Sequence, residues 1–188
     1  MDSNRPQDMI SPMKLARLIH GLTDLCLGIL VGASVGTSVA ASVIFGVSRE
    51  QGFDKHIANT LAGSMFDRLG WPMLITAALA LLGCVFAAKS PPDNNLRAPR
   101  KWQIMALVAA VMFAGACLTQ FYFAPSMKHL RENSTWTNGE LADDAERAEF
   151  RSSHGWSMGV SGLATLLAAG LIVSRRVFAG GKGPQISA

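Results

Sequence analysis

Residues 25–48, LCLGILVGASVGTSVAASVIFGVS, run for 24 positions without a charged side chain. A helix rises about 1.5 Å per residue, so about 20 apolar residues cross the roughly 30 Å of bilayer hydrocarbon with every backbone amide paired inside the segment. Three further stretches have the same character: 69–88 between Arg68 and Lys89, 102–127 between Lys101 and Lys128, and 152–174 between Arg151 and Arg175. The expected fold is all-α, a polytopic four-transmembrane-helix bundle occupying residues 22–174, with spans at about 25–48, 69–88, 102–127 and 152–174. Lys14 and Arg17 ahead of the first run, with Ser38-Val39-Ala40 inside it, resemble a signal peptide and its cleavage site. The run is about twice as long as a signal core and continues past that point to Val47, so a retained span is expected.

The composition of the whole chain agrees. Of 188 residues, 49% are hydrophobic and only 16% charged, which places the chain outside the ordinary soluble class. A net charge of +4 invites a nucleic-acid reading, but the basic residues flank apolar runs and form no patch with interleaved aromatics, so no nucleic acid is expected as partner. The bilayer is the expected environment. Cys26, Cys84 and Cys117 each lie within an apolar run, which suggests buried thiols and neither a disulfide framework nor a metal cluster.

Orientation follows the Lys and Arg balance. With four spans the termini share one side, which carries Arg5, Lys14, Arg17, Lys89, Arg97, Arg100, Lys101, Arg175, Arg176 and Lys182. The other side has fewer: Arg49, Lys55, Arg68, Lys128, Arg131, Arg147 and Arg151. A multi-pass protein of the cell inner (plasma) membrane is expected, with both termini cytoplasmic.

The remaining segments read as connections. Residues 1–21 form a cytoplasmic N-terminal segment, polar to residue 11, then an interfacial helix over 12–22 with apolar Met13, Leu15, Leu18, Ile19 and Leu22. Residues 90–100, rich in Pro and Asn, predict a short loop, and 175–188 a flexible cytoplasmic tail. The outer segments 53–67 and 137–151 look partly helical, the second capped by Thr137 or Asn138. A weak repeat aligns Phe66, Gly70, Trp71, Met73, Leu81 and Leu82 with Phe150, Gly155, Trp156, Met158, Leu166 and Leu167, as two tandem helical hairpins would produce, although interfacial aromatic belts explain the pairs equally well.

Few residues invite a functional role. Gly28, Gly32, Gly36 and Ala40 recur every four positions, a stripe of small residues that lets two backbones approach closely in lipid. It serves contact inside the bundle, homodimerisation or docking to a larger membrane complex. Asp24 is the one acid at the edge of a span, where it caps the helix, pairs with Arg17 or the 89–101 loop, or handles a proton or cation. Gln120 and Tyr122, just before Pro125, either hydrogen-bond within the bundle or mark a bent helix end. His56, His129 and His154, near Met65, Met127 and Met158, are weak candidates for copper or haem at spacings that fit no ligand motif. Catalytic motifs are lacking, so no enzyme activity, resident metal or cofactor is expected.

Several segments resemble the four-span membrane family typified by transmembrane protein 205, whose bacterial members carry domain of unknown function 4149. These are Leu27-Gly28, Phe45, Leu61-Ala62-Gly63-Ser64-Met65-Phe66, the stretch from Tyr122 to Pro125, that from Met127 to Arg131, and Phe150-Arg151 followed by His154. The family's proline near the end of the first span is replaced here by the run Ala40, Ala41, Ser42. The resemblance implies a compact membrane bundle without established enzymatic activity, related to bacterial copper-resistance proteins, with animal relatives linked to platinum-drug tolerance. The expected function is non-enzymatic, exerted through helix packing as a homo-oligomer or accessory subunit; the alternative is a small transporter or a metal- or haem-handling protein.

Overall fold

The structure is a computed structural model, and it describes residues 12–89, 98–137 and 139–179. The expectations for residues 1–11, for 90–97, for Asn138 as a cap and for 180–188 lie outside the described residues. The chain forms helix α1 (Pro12–Glu50), α2 (Lys55–Lys89), α3 (Ala98–Leu118), a π-helical turn (Thr119–Phe123) and α4 (Ala124–Asn133). A two-stranded hairpin, β1 (Trp136–Thr137) and β2 (Glu140–Leu141), then leads into α5 (Asp144–Ala179). Four helical stretches are long and apolar enough to cross a membrane: Lys14–Glu50, Lys55–Lys89, Arg100–Asn133 and Asp144–Val177.

The long helices form a closed ring in the order α1, α2, α3, α5. One end holds the start of α1 and the close of α5; the other holds the α1–α2 turn, α4 and the hairpin. We call these the terminal end and the hairpin end. Each helix turns a seam of three- and four-residue spacing inward: Thr23, Leu27, Leu30 and Thr37 on α1; Ala77, Ala80, Cys84 and Ala87 on α2; Trp102, Met105, Ala109 and Met112 on α3; Ala168, Leu171 and Arg175 on α5. The α2 seam is made almost wholly of small side chains, and at Gly83 a Cβ would collide with the Thr23 side chain. This is where α1 and α2 approach closely, the geometry that small residues permit in lipid. Aliphatic side chains also cover the outside, among them Leu25 and Val39 on α1, Leu82 on α2, Leu107 on α3 and Leu166 on α5. In water such a surface promotes aggregation; in hydrocarbon it faces its own solvent.

Several expected boundaries shift. The interfacial helix over 12–22 is not separate, because Pro12–Glu50 is one 39-residue helix. Segment 53–67 is helical from Lys55 and continuous with the second span. The α1–α2 turn is tight because Gly52 takes φ +67°. The Phe53 amide bonds to the Ser48 carbonyl at 2.9 Å and the Gly52 amide to Arg49 at 3.3 Å, a Schellman closure of the helix end. Asp54 then caps α2 by accepting from the His56 amide at 2.9 Å. Thr137 does not cap a helix but pairs with Glu140 in the hairpin. Asp143 caps α5 instead, accepting from the amides of Ala145 at 2.7 Å and Glu146 at 3.0 Å. Residues 175–179, expected in the tail, complete α5.

Trp71 and Trp156, matched in the expected repeat, both face outward at 52% and 67% exposure, as belt aromatics do. Their glycines differ: Gly70 receives the Gln120 side chain, whereas a Cβ on Gly155 would meet nothing within 4 Å.

Candidate functional site

At the terminal end, α5 closes the ring with an arginine where its seam demands an inward residue. The Arg175 side chain is 3% exposed, and its Nε donates to Asp24 Oδ1 at 2.6 Å. Its Nη2 donates to the His20 carbonyl at 3.1 Å and lies 3.2 Å from His20 Nδ1. With Nδ1 accepting that proton, the imidazole carries its own on Nε2. The guanidinium also sits 5.7 Å from the centroid of Trp102, whose ring lies 5.5 Å from that of His20. Arg176, the next residue, reaches Asp24 Oδ2 at 3.7 Å from the exposed side. All four long helices thus converge on one guanidinium: α1 through His20 and Asp24, α2 through Cys84 beside it, α3 through Trp102, and α5 through Arg175 itself.

A charge in an apolar bundle persists when it is paired and hydrogen-bonded. Here two guanidinium groups face one carboxylate. Arg175 Nη1 and His20 Nε2 are buried without a hydrogen-bond partner among the described residues, so the cluster is richer in donors than in acceptors. Asp24 pairs with Arg175 and Arg176, and it lies within α1, away from the helix ends. Thr23 beside it returns its hydroxyl to the Ile19 carbonyl at 2.7 Å.

Gln120 and Tyr122 belong to the π-helical turn. Pro125 has no amide hydrogen to give Phe121, and the backbone widens so that the Ala124 amide bonds to the Thr119 carbonyl five residues back. Gln120 packs its side-chain amide over Gly70 of α2, while Tyr122 points outward at 64% exposure. The two do not share a site with each other, and neither shares one with Asp24. Gln120 lies 18 residues along the chain from Trp102, about 27 Å of helix axis from the Arg175 cluster.

The hairpin end is cemented by polar contacts. Arg131 of α4 pairs with Asp67 of α2 at 3.0 Å over Gly63, and its carbonyl accepts from Trp136 Nε1 at 3.3 Å. Arg147 Nη2 donates to the Leu141 carbonyl at 2.6 Å, tying the hairpin to α5. His56 packs tilted against Trp136 at 4.6 Å and His154 stacks on Phe150 at 6.3 Å, with the Trp136 and Phe150 rings between the two imidazoles. His129 is exposed on α4. The three histidines do not converge, and among the described residues no group of three His, Cys, Asp or Glu is placed to hold a metal ion.

The glycine stripe of α1 faces outward. Gly28, Gly32 and Gly36 are exposed, and a Cβ on any of them would meet nothing within 4 Å; Ala40 is half-buried at the stripe's edge. The small-residue seam that packs the bundle is on α2, where its heptad-like spacing, Ala77, Ala80, Cys84, Ala87, is the signal that identifies it.

No curated protein and no solved structure matches the chain. The family model described as domain of unknown function (DUF4149) matches residues 25–135, more than half of the sequence. The match opens one residue after Asp24, takes in α2, α3 and α4 and ends before α5, and with it the chain belongs to the DUF4149 family.

Proposed function

We propose that this DUF4149 protein is a non-enzymatic, multi-pass component of the cell inner membrane, termini cytoplasmic, that works by lateral association through the outer face of α1, with a second copy or as an accessory subunit. The observation that carries this reading is the open space over Gly28, Gly32 and Gly36. Each glycine weakens a helix by about 1 kcal/mol relative to alanine, and no neighbour within the bundle uses the room they leave. A facing helix does use it, because small residues let two backbones come close enough for dispersion contacts in lipid. Four long apolar helices also fit the resemblance to the transmembrane protein 205 family. Among the described residues the transporter and metal alternative finds no converging group, since Asp24 is held by arginines and the three histidines are held apart.

The test is the mass of the particle extracted in gentle detergent. Gly32→Leu with Gly36→Leu should convert the associated species to the single protomer while leaving thermal unfolding unchanged. An unaltered mass and an unaltered set of co-purifying chains would overturn the reading.

A further inference from the structure

Asp24 turns one carboxylate oxygen to the interior of the bundle and the other to its exterior. Oδ1 takes the hydrogen bond from buried Arg175; Oδ2 lies 3.7 Å from Arg176, beyond hydrogen-bond length, and the Arg176 side chain is 75% exposed. Both groups line an open groove of about 490 Å³ between α1 and α5. Its floor is Gly21 and Gly28, and its apolar wall is Leu25 and Ile29. A Cβ on either glycine would meet nothing within 4 Å, so the trough exists because both side chains are missing.

The level of the groove is set by the two helices. The charge-free run of α1 starts at Leu25, and that of α5 ends at Ser174. Asp24 and Arg176 therefore stand where hydrocarbon gives way to headgroups, with the apolar trough on the hydrocarbon side. The charge there is unbalanced, because Arg175 and Arg176 face a single carboxylate. Lys14 adds positive charge two turns beyond Gly21 on the same side of α1.

We propose that this groove holds one anionic phospholipid. Its phosphodiester lies on the Arg176 guanidinium and supplies the missing negative charge, in the planar two-point geometry that guanidinium offers phosphate. Headgroup hydroxyls donate to Asp24 Oδ2, and an acyl chain follows the trough past Leu25 and Ile29 over Gly28. Arg175, by holding Oδ1, fixes the carboxylate that orients the headgroup. The site shares Gly28 with the proposed association face, but the two are tested apart, because the association test changes only Gly32 and Gly36 farther along the helix.

The test is native mass spectrometry of the full-length protein released from detergent supplemented with phosphatidylglycerol or with phosphatidylcholine. The expected result is one retained phosphatidylglycerol per protomer, about tenfold preferred over phosphatidylcholine, the scale of one charge-assisted contact. Arg176→Gln removes the phosphate partner and Gly28→Leu fills the trough. Both positions are exposed, so thermal unfolding should stay as in the parent while retention of phosphatidylglycerol falls about tenfold. Equal retention of the two lipids, or retention untouched by both variants, would overturn the site. So would retention that rises when Gly32→Leu and Gly36→Leu separate the protomers, because a protein surface would then be the native occupant of the groove.

Discussion

Asp24 and Arg175 stand 151 residues apart in sequence and 2.6 Å apart in space. Removing one member of a buried pair leaves the other charged and without its main countercharge, so Arg175→Leu or Asp24→Leu alone should lower unfolding stability by about 3 kcal/mol. The double Leu variant should recover most of that loss, since an apolar pair of similar volume suits the same place. Chemical denaturation in detergent measures it, and strictly additive losses would show that the two side chains do not act as a pair. Asp24 was legible in the sequence because an acid beside an apolar run demands an explanation. Its partner was not, because Arg175 ends an apolar run and so reads as an interfacial flank. The inward rhythm Ala168, Leu171, Arg175 carries the information, but in a chain whose helices are apolar on every side that rhythm is hard to separate from its surroundings.

Element by element, helix existence was the plainest feature of the sequence and helix orientation the faintest. A helix in water shows its inner face by hydrophobicity; one in lipid buries Ala77, Ala80 and Ala87 while exposing Ile75, Leu79 and Leu82, so size is the informative property. The stripe on α1 is easier to see than the seam on α2 because glycine is the smallest residue, yet Gly83 is the glycine at the close approach of α1 and α2. Gly83→Ala should lower the thermal midpoint, at about 1 to 3 kcal/mol of overpacking, since Thr23 is short and cannot swing away. Gly28→Ala should leave the midpoint unchanged or raise it, and equal losses at both positions would contradict the packing described. The hairpin had its own signal in Asn138-Gly139, the dipeptide that favours a tight β-turn, overshadowed by the acidic residues after it. Gly139 adopts φ +75° against the cap of α2, with its missing Cβ making room for Asp54 and Lys55.

For the whole molecule, the ring places the start of α1 and the close of α5 together, and the basic residues then set the proposed direction of insertion. In a background with the three native cysteines replaced by alanine, Gln51→Cys and Glu132→Cys should react with an impermeant thiol reagent on intact cells. Lys14→Cys and Lys89→Cys should react only after permeabilisation. The reverse pattern would invert the proposed topology, and a split between Lys14 and Lys89 would contradict a ring of four antiparallel helices. The same ring has a clock built into it. At synthesis rates of about 5 to 20 residues per second, roughly 8 to 30 s separate the appearance of Asp24 from that of Arg175. Through that interval α1 is already made while its countercharge is still unwritten polypeptide, and some other cation or water must stand in. Closing the ring therefore waits on α5, and a ribosome that stalls before α5 is complete leaves a chain whose first helix still needs an escort.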